Sequence, residues 1–335
     1  MAGFVNICPP IIFTLSLTVL LNFGGFPDKR EGLFTGGLKM SQQNMQVEQA
    51  DDIETFKALM TRPKIAWPTV TMFVCAFGLF GLSCYAHING ALPLYAAIAL
   101  NCIASYMAFT VAHDATHSAV STNRKLNDWL GRISTMLLEP APQFGVFRHI
   151  HMQHHKFTND PERDPDIYAG TGPAWLLPVK WATTDFAYFR FYLHPDVFGR
   201  RPKAERREFY LSNLLGLGII ATAIYGDWWV YYLLLHFLPT RITKIILTLG
   251  FDFLPHHPHQ TRGQDAPYQA TSNRIGFEWL MTPLFIFQNY HLVHHLYPTA
   301  PFYRNLKLWR AKQKFHEAQK PALVGAFSLK RKTDS

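Results

Sequence analysis

Three groups of histidines stand at spacings that can hold a metal. They are His113-Asp-Ala-Thr-His117, His151-Met-Gln-His154-His155 and His291-Leu-Val-His294-His295. On a helix, offsets of three and four put imidazoles on one face, one turn apart. Two such rings can bind one ion, and neutral imidazole suits iron, zinc, copper and nickel. Eight histidines are more than one ion needs, so a pair of metals is expected. A lone HxxxH is weak evidence, and a histidine run can be a solvated surface tract. The repeated HxxHH argues against that reading. Both copies lie in aromatic and apolar segments, and a Pro-containing turn follows each.

A fourth segment, Asp252-Phe-Leu-Pro-His256-His257-Pro-His259, adds to the set. His256 is expected as a further ligand. Asp252, four residues earlier, is expected to support a ligand or to bind through water. His149 and Asp114 are weaker candidates for such a supporting role. Asp160, Asp164 and Asp166 could orient imidazole N–H groups or form a solvated acidic turn. The donor set is nearly all imidazole, unlike the Glu and Glu-x-x-His ligands of soluble di-iron bundles. No Glu follows His113 or His291 in the register of an HExxH zinc protease. A His-rich pair of irons can split O₂ and take hydrogen from an unactivated C–H bond.

The elements that position these groups are membrane helices. Apolar residues make up 48% of the chain and charged ones only 16%, sparse for a soluble protein. Ile65–Ala86 and Leu92–Ala112 each match the ~20 residues that cross a hydrocarbon core. Phe209–Tyr225 and the stretch from Trp228 onward form a second pair, with Trp228, Trp229, Tyr231 and Tyr232 resembling an interfacial belt. Arg241 and Lys244 interrupt the last of these. Either that helix leaves the bilayer near Arg241, with its basic side chains reaching the headgroups, or Arg241 is buried and paired.

The net charge is +9. Basic residues flank the spans, in 113–207 and in the C-terminal part, which is the positive-inside pattern and places both regions in the cytoplasm. No Arg/Lys stripe with interleaved aromatics marks a nucleic-acid partner. Trp129–Phe147, Ala174–Leu193 and Ile275–Phe287 are too interrupted to span and read as interfacial or re-entrant cover for the site. The four cysteines (Cys8, Cys75, Cys84, Cys102) read as small core residues. The expected domains are a mobile lead-in over 1–60 with a short apolar run at Pro10–Gly24, a membrane catalytic domain over 61–320, and a basic tail over 321–335. The run lacks a basic n-region, which makes a signal peptide doubtful.

HDATH, RHIHMQHHKFTNDPERDPD, FDFLPHHPHQ and QNYHLVHHLYPTAPFY together resemble the membrane fatty-acid desaturase and hydroxylase superfamily. Within it they are most similar to the cyanobacterial-type β-carotene hydroxylases. The resemblance covers roughly residues 65–315. It implies an all-α integral membrane fold of about four spans in two hairpins, with a cytoplasmic helical cap over a non-haem di-iron centre. By motif position the ligands would be His113, His117, His151, His154, His155, His291, His294 and His295, with His256 in the additional place. Some members carry Asn where this chain has Asp252. O₂ would be the co-substrate and a hydrophobic lipid the substrate.

The first expectation is hydroxylation of a β-carotene-like ring, and the alternative is desaturation of a lipid acyl chain. No HPGG segment, iron–sulfur CxxC pattern or GxGxxG fingerprint is present. Electrons would come from a separate ferredoxin or cytochrome b5 type donor, for which a basic face is suited. A metal transporter is the rival from another class. It predicts ionisable residues inside the spans, and Ile65–Cys84 and Leu92–Ala112 have none.

Overall fold

A computed structural model describes residues 52–332. The Pro10–Gly24 run, Cys8 and the last three residues of the basic tail lie outside the described residues. The described part is mostly helical. Its main helices are α1 (Ile53–Met60), α2 (Trp67–Ile88), α3 (Leu94–Thr116), α4 (Arg124–Thr135), α5 (Phe144–Phe157), α6 (Thr184–Tyr192), α7 (Lys203–Tyr225), α8 (Trp229–Phe253), α9 (Glu278–Leu284), α10 (His291–Leu296) and α11 (Asn305–Ala311). Short helical turns connect them.

Among the described residues, α2, α3, α7 and α8 are long and apolar enough to cross a membrane. They pair as two hairpins, α2–α3 and α7–α8, as expected. Large apolar side chains such as Val74, Ile103, Leu214 and Leu217 face outward on them. In lipid that exposure carries no hydrophobic penalty, and the helix satisfies its own backbone. α3 and α7 are longer than their apolar runs. α3 continues past Ala112 and carries His113 in its last turn, with His117 as its C-cap.

α8 runs unbroken from Trp229 to Phe253, so the basic residues lie within it. Arg241 pairs with Asp185 at 2.7 Å, and Lys244 reaches the same carboxylate at 3.1 Å. Glu139 contacts both cations. All four side chains are mostly buried. The pairing alternative is therefore the one realised, because two carboxylates from neighbouring segments answer the two cations.

Pro239 sits inside α8 and has no N–H to donate to Leu235 four residues back. The helix widens to π geometry over Leu233–Phe237. The amide of Asn101, on α3, donates to the Leu235 carbonyl at 2.7 Å, and Asn101 also bonds Ser83 on α2. One buried asparagine thus ties three spans together. Asn101→Leu leaves the Leu235 carbonyl without a donor in a dry interior. The expected cost is about 1–2 kcal/mol, read as a lower thermal-unfolding midpoint in detergent. An unchanged midpoint would show that the bond contributes nothing.

Of the segments expected to cover the site, Trp129–Phe147 and Ala174–Leu193 line the space beside the histidines, and Ile275–Phe287 packs along α3 instead. The Tyr106 hydroxyl donates to the Leu284 carbonyl at 2.9 Å. This sets α9 beside α3, ten residues or roughly 15 Å short of its end. Trp279 and Leu284 point outward there, as suits a re-entrant piece in lipid.

Two regions assigned to flanking segments belong to the body. α1 packs on α11, with Asp52 N donating to Ala311 O at 2.8 Å, and Arg304 Nη1 donates to the carbonyls of Leu59 and Thr61. Ala322–Gly325 forms strand β2, parallel to β1 (Ser272–Ile275), with Ser272 opposite Ala322. The Arg274 guanidinium clamps this pair by donating to the carbonyls of Gly325, Ala326 and Ser328.

Candidate metal centre

Three elements carry the histidine groups to one place. His113 and His117 close the C-terminal end of α3. His151, His154 and His155 lie on α5, and His291, His294 and His295 on α10. The π-helical turn Thr248–Phe253 ends α8 and leads into Pro255 and His256. Asn127 fixes the α3 end, accepting from Val120 N and donating to Ala115 O. Arg148 on α5 donates to the same carbonyl and pairs with Asp128 at 2.5 Å. The end of α3 and the histidine face of α5 are therefore held together.

The rings sort into two sets. His113, His117, His151 and His294 form one, and His154, His256, His291 and His295 the other. His155 joins the first through Nε2, 3.1 Å from that of His151 and 3.0 Å from that of His294. Its ring also stacks on His295 with centroids 4.1 Å apart, so it bridges the sets. Other Nε2 pairs close at 2.9 Å (His117–His151), 3.2 Å (His154–His295), 3.1 Å (His256–His291) and 3.1 Å (His291–His295).

A metal fits these atoms better than mutual hydrogen bonds do. Burial, reinforced by neighbouring charge, holds His117, His151, His155, His256, His291, His294 and His295 well below the ordinary imidazole pKa. A neutral imidazole has a single N–H, and here it cannot satisfy two or three nitrogens converging on the same point. With metal–nitrogen bonds of about 2.1 Å, ligands at right angles stand roughly 3.0 Å apart. The observed separations match that edge.

The outer nitrogens of three rings have partners. His154 Nδ1 lies 2.9 Å from Asp164 Oδ1 and 3.3 Å from Asp166 Oδ2. Burial alone would lower the His154 pKa, but the carboxylates of Asp166 and Asp164 outweigh it and push it up to about 9. Asp164 is fixed by the backbone N–H groups of Asn159 and Asp166, with Asn159 in a left-handed conformation at φ 60°. Gln288 Oε1 faces His291 Nδ1 at 3.3 Å, and Thr158 Oγ1 faces His295 Nδ1 at 3.4 Å. Sequence reading missed Gln288 and Thr158. Their only signal is an offset of three residues, from His291 and from His155.

The supporting residues expected from sequence are corrected in part. Asp114 accepts from Thr69 Oγ1 at 2.9 Å and from Phe302 N, so it braces the helix end. His149 packs on Tyr192, away from both sets. It stands two residues from His151, which on a 3.6-residue turn is the opposite face. Asp160 pairs with Arg163 at 2.7 Å and touches no imidazole. Asp252 accepts from the Tyr188 hydroxyl at 3.2 Å, and that hydroxyl also reaches Asp166 at 2.6 Å. Asp252 is thus linked to His154 through a tyrosine and a second aspartate. His259 lies outside both sets, against Gly170.

A cavity opens beside the imidazoles, with Phe109, Phe147, Ile150, Leu247 and Phe251 on its walls and His113, His151, His154 and His291 at one end.

The sequence is similar to those of known proteins. Residues 89–323 match the fatty acid desaturase family. A β-carotene ketolase of Paracoccus sp. (strain N81106 / MBIC 01143) is 31% identical over 200 residues, covering 58% of this chain and 71% of its own. A second Paracoccus sp. (strain PC1) β-carotene ketolase is 28% identical, covering 68% of this chain and 83% of its own. An sn-1 oleoyl-lipid 12-desaturase of Arthrospira platensis is 26% identical over 277 residues, covering 71% and 73%. The carotenoid relatives here are ketolases, and closeness to hydroxylases in particular does not follow from them. Four membrane-length helices, buried imidazoles that converge in two sets and the match over most of the chain lead to one conclusion: this is a membrane oxidoreductase belonging to the fatty acid desaturase family.

Proposed function

We propose that the chain is an O₂-dependent di-iron oxidase that hydroxylates a ring carbon of a carotenoid. The observation that carries this reading is the cavity. It borders both imidazole sets through His113, His151, His154 and His291, and Phe109, Phe147, Leu247 and Phe251 stand on its walls. In this reading His113, His117, His151, His155 and His294 would hold one iron, and His154, His256, His291 and His295 the other. Iron bound there supplies the oxidising power that O₂ chemistry needs. The chain supplies the rest. The Asp164 carboxylate takes the N–H of His154 Nδ1 and so presents Nε2 inward. Phe109, Phe147 and Phe251 exclude water and press an apolar substrate towards the rings.

The β-carotene ketolases among the relatives support a carotenoid. A second reading, desaturation of a lipid acyl chain, is supported by the Arthrospira relative. The imidazoles serve both reactions, and the outcome depends on which carbon meets the oxidant. Electrons come from a separate ferredoxin or cytochrome b5 type protein. A relative from Nostoc sp. (strain 36) is named as an acyl-lipid desaturase that uses ferredoxin.

The test is expression in a host that makes β-carotene, with a ferredoxin or cytochrome b5 system, followed by mass spectrometry of pigments and membrane lipids. A pigment heavier by one or two oxygens establishes ring hydroxylation. Acyl chains lighter by two hydrogens, with pigment unchanged, establish the second reading.

The proposed orientation puts the centre in the cytoplasm. A single cysteine introduced near Arg200 is expected to resist an impermeant thiol reagent added to intact cells. It should react after the membrane is opened. Labelling from outside would reverse the topology.

A further inference from the structure

We propose that the cavity recognises an oxygen atom of the lipid at a second point, at the end away from the imidazoles. The proposal rests on the lipid-oxidation reading above. The cavity follows one face of α5, through Gln143, Val146, Phe147, Ile150, His151 and His154, and one face of α8, from Thr240 to Asp252. Gln143 precedes His151 by eight residues, and Lys244 precedes Asp252 by eight. Both offsets give roughly 12 Å from the far end to the metal end. The stretch between them is mostly apolar, and its Thr184 and Thr248 hydroxyls bond each other.

The far end is polar, and two of its groups are unmet. Gln143 is 5% exposed and its Nε2 has no hydrogen-bond partner. It occupies the N-cap of α5, yet its side chain makes no capping bond. Asp185 uses Oδ2 on Arg241 and Lys244, while its buried Oδ1 has no partner. Buried amides and carboxylate oxygens are rarely left unpaired, and such pairs of donor and acceptor mark a place for a polar group. Arg241 and Lys244 balance Glu139 and Asp185, so an uncharged oxygen suits this end. A carbonyl would accept from Gln143. A hydroxyl could also donate to Asp185. A carotene hydrocarbon meets neither. An acyl ester carries its carbonyl at about this distance from a mid-chain carbon, and an oxygen-bearing carotenoid offers the same chemistry only when it lies with a ring at this end.

The experiment uses the full chain, iron-loaded and purified in detergent. It is offered β-carotene, zeaxanthin or an oleoyl phosphatidylcholine, and the retained lipid is quantified by mass spectrometry. Turnover with a ferredoxin system is followed in parallel. Wild type is expected to retain one of the oxygen-bearing lipids roughly three- to tenfold better than β-carotene, the worth of one hydrogen bond. Which one identifies the source. Gln143→Leu is expected to bring that lipid down to the β-carotene level. Equal retention of all three by wild type overturns the subsite, even if the variant does not fold. So does a variant that lowers all three alike. Selective retention with no lipid oxidised keeps the subsite and removes the lipid-oxidation reading.

Discussion

His154→Ala is expected to strip the centre of iron and to end turnover. His154 sits at the middle of the second imidazole set, with Nε2 3.2 Å from that of His295 and its ring beside that of His256. It also carries the Asp164 contact that orients it. Removing the ring deletes a donor and leaves Asp164 and Asp166 as a buried acidic pair without its base. Loss of an orienting partner alone costs roughly 10- to 100-fold in metal affinity or activity. Asp164→Asn should fall in that range, and His154→Ala should exceed it. Iron per chain, measured on purified protein, is expected to drop from two to one or fewer. Full activity in His154→Ala would sink the assignment of the site.

The second large effect is a contrast between neighbours. His256→Ala is expected to lose iron as His154→Ala does, while His259→Ala keeps it. The two rings are 6.1 Å apart and both are buried. Only His256 turns its Nε2 to another imidazole, that of His291 at 3.1 Å. His259 Nε2 instead lies against Gly170, and removing that ring opens a small void. Its cost is one of packing, read as lower stability with iron retained. Equal iron loss in the two variants would show that the distinction has no chemical content.

Much of this was legible in the sequence because the responsible signals are local. Offsets of three and four set His151, His154 and His155 on one helical face, and about twenty apolar residues announce a span. Position on the helix also turns His149, two residues from His151, towards Tyr192, although the residue type invited it. What was hidden depends on distant residues. Whether Arg241 reached headgroups or carboxylates turned on Asp185 and Glu139, which arrive from separate segments. Asp114 lies beside His113 in sequence, but its partners are Thr69 and Phe302. The union of β1 with β2 joins strands about fifty residues apart, and neither is long enough to declare itself by alternation.

The π turn at Thr248–Phe253 has a consequence for how this protein can change. Such a turn holds one residue more than the surrounding helix would need. Leu254 N closes it on Leu249, five residues back. In ordinary α geometry at the same length, α8 would keep every histidine in sequence but lose this local widening. All that follows would then turn by about 100° about the helix axis, and His256 would leave the second set. The ninth imidazole is thus kept in place by a surplus in chain length. A relative one residue shorter at this turn can hold the same imidazole on an ordinary α turn.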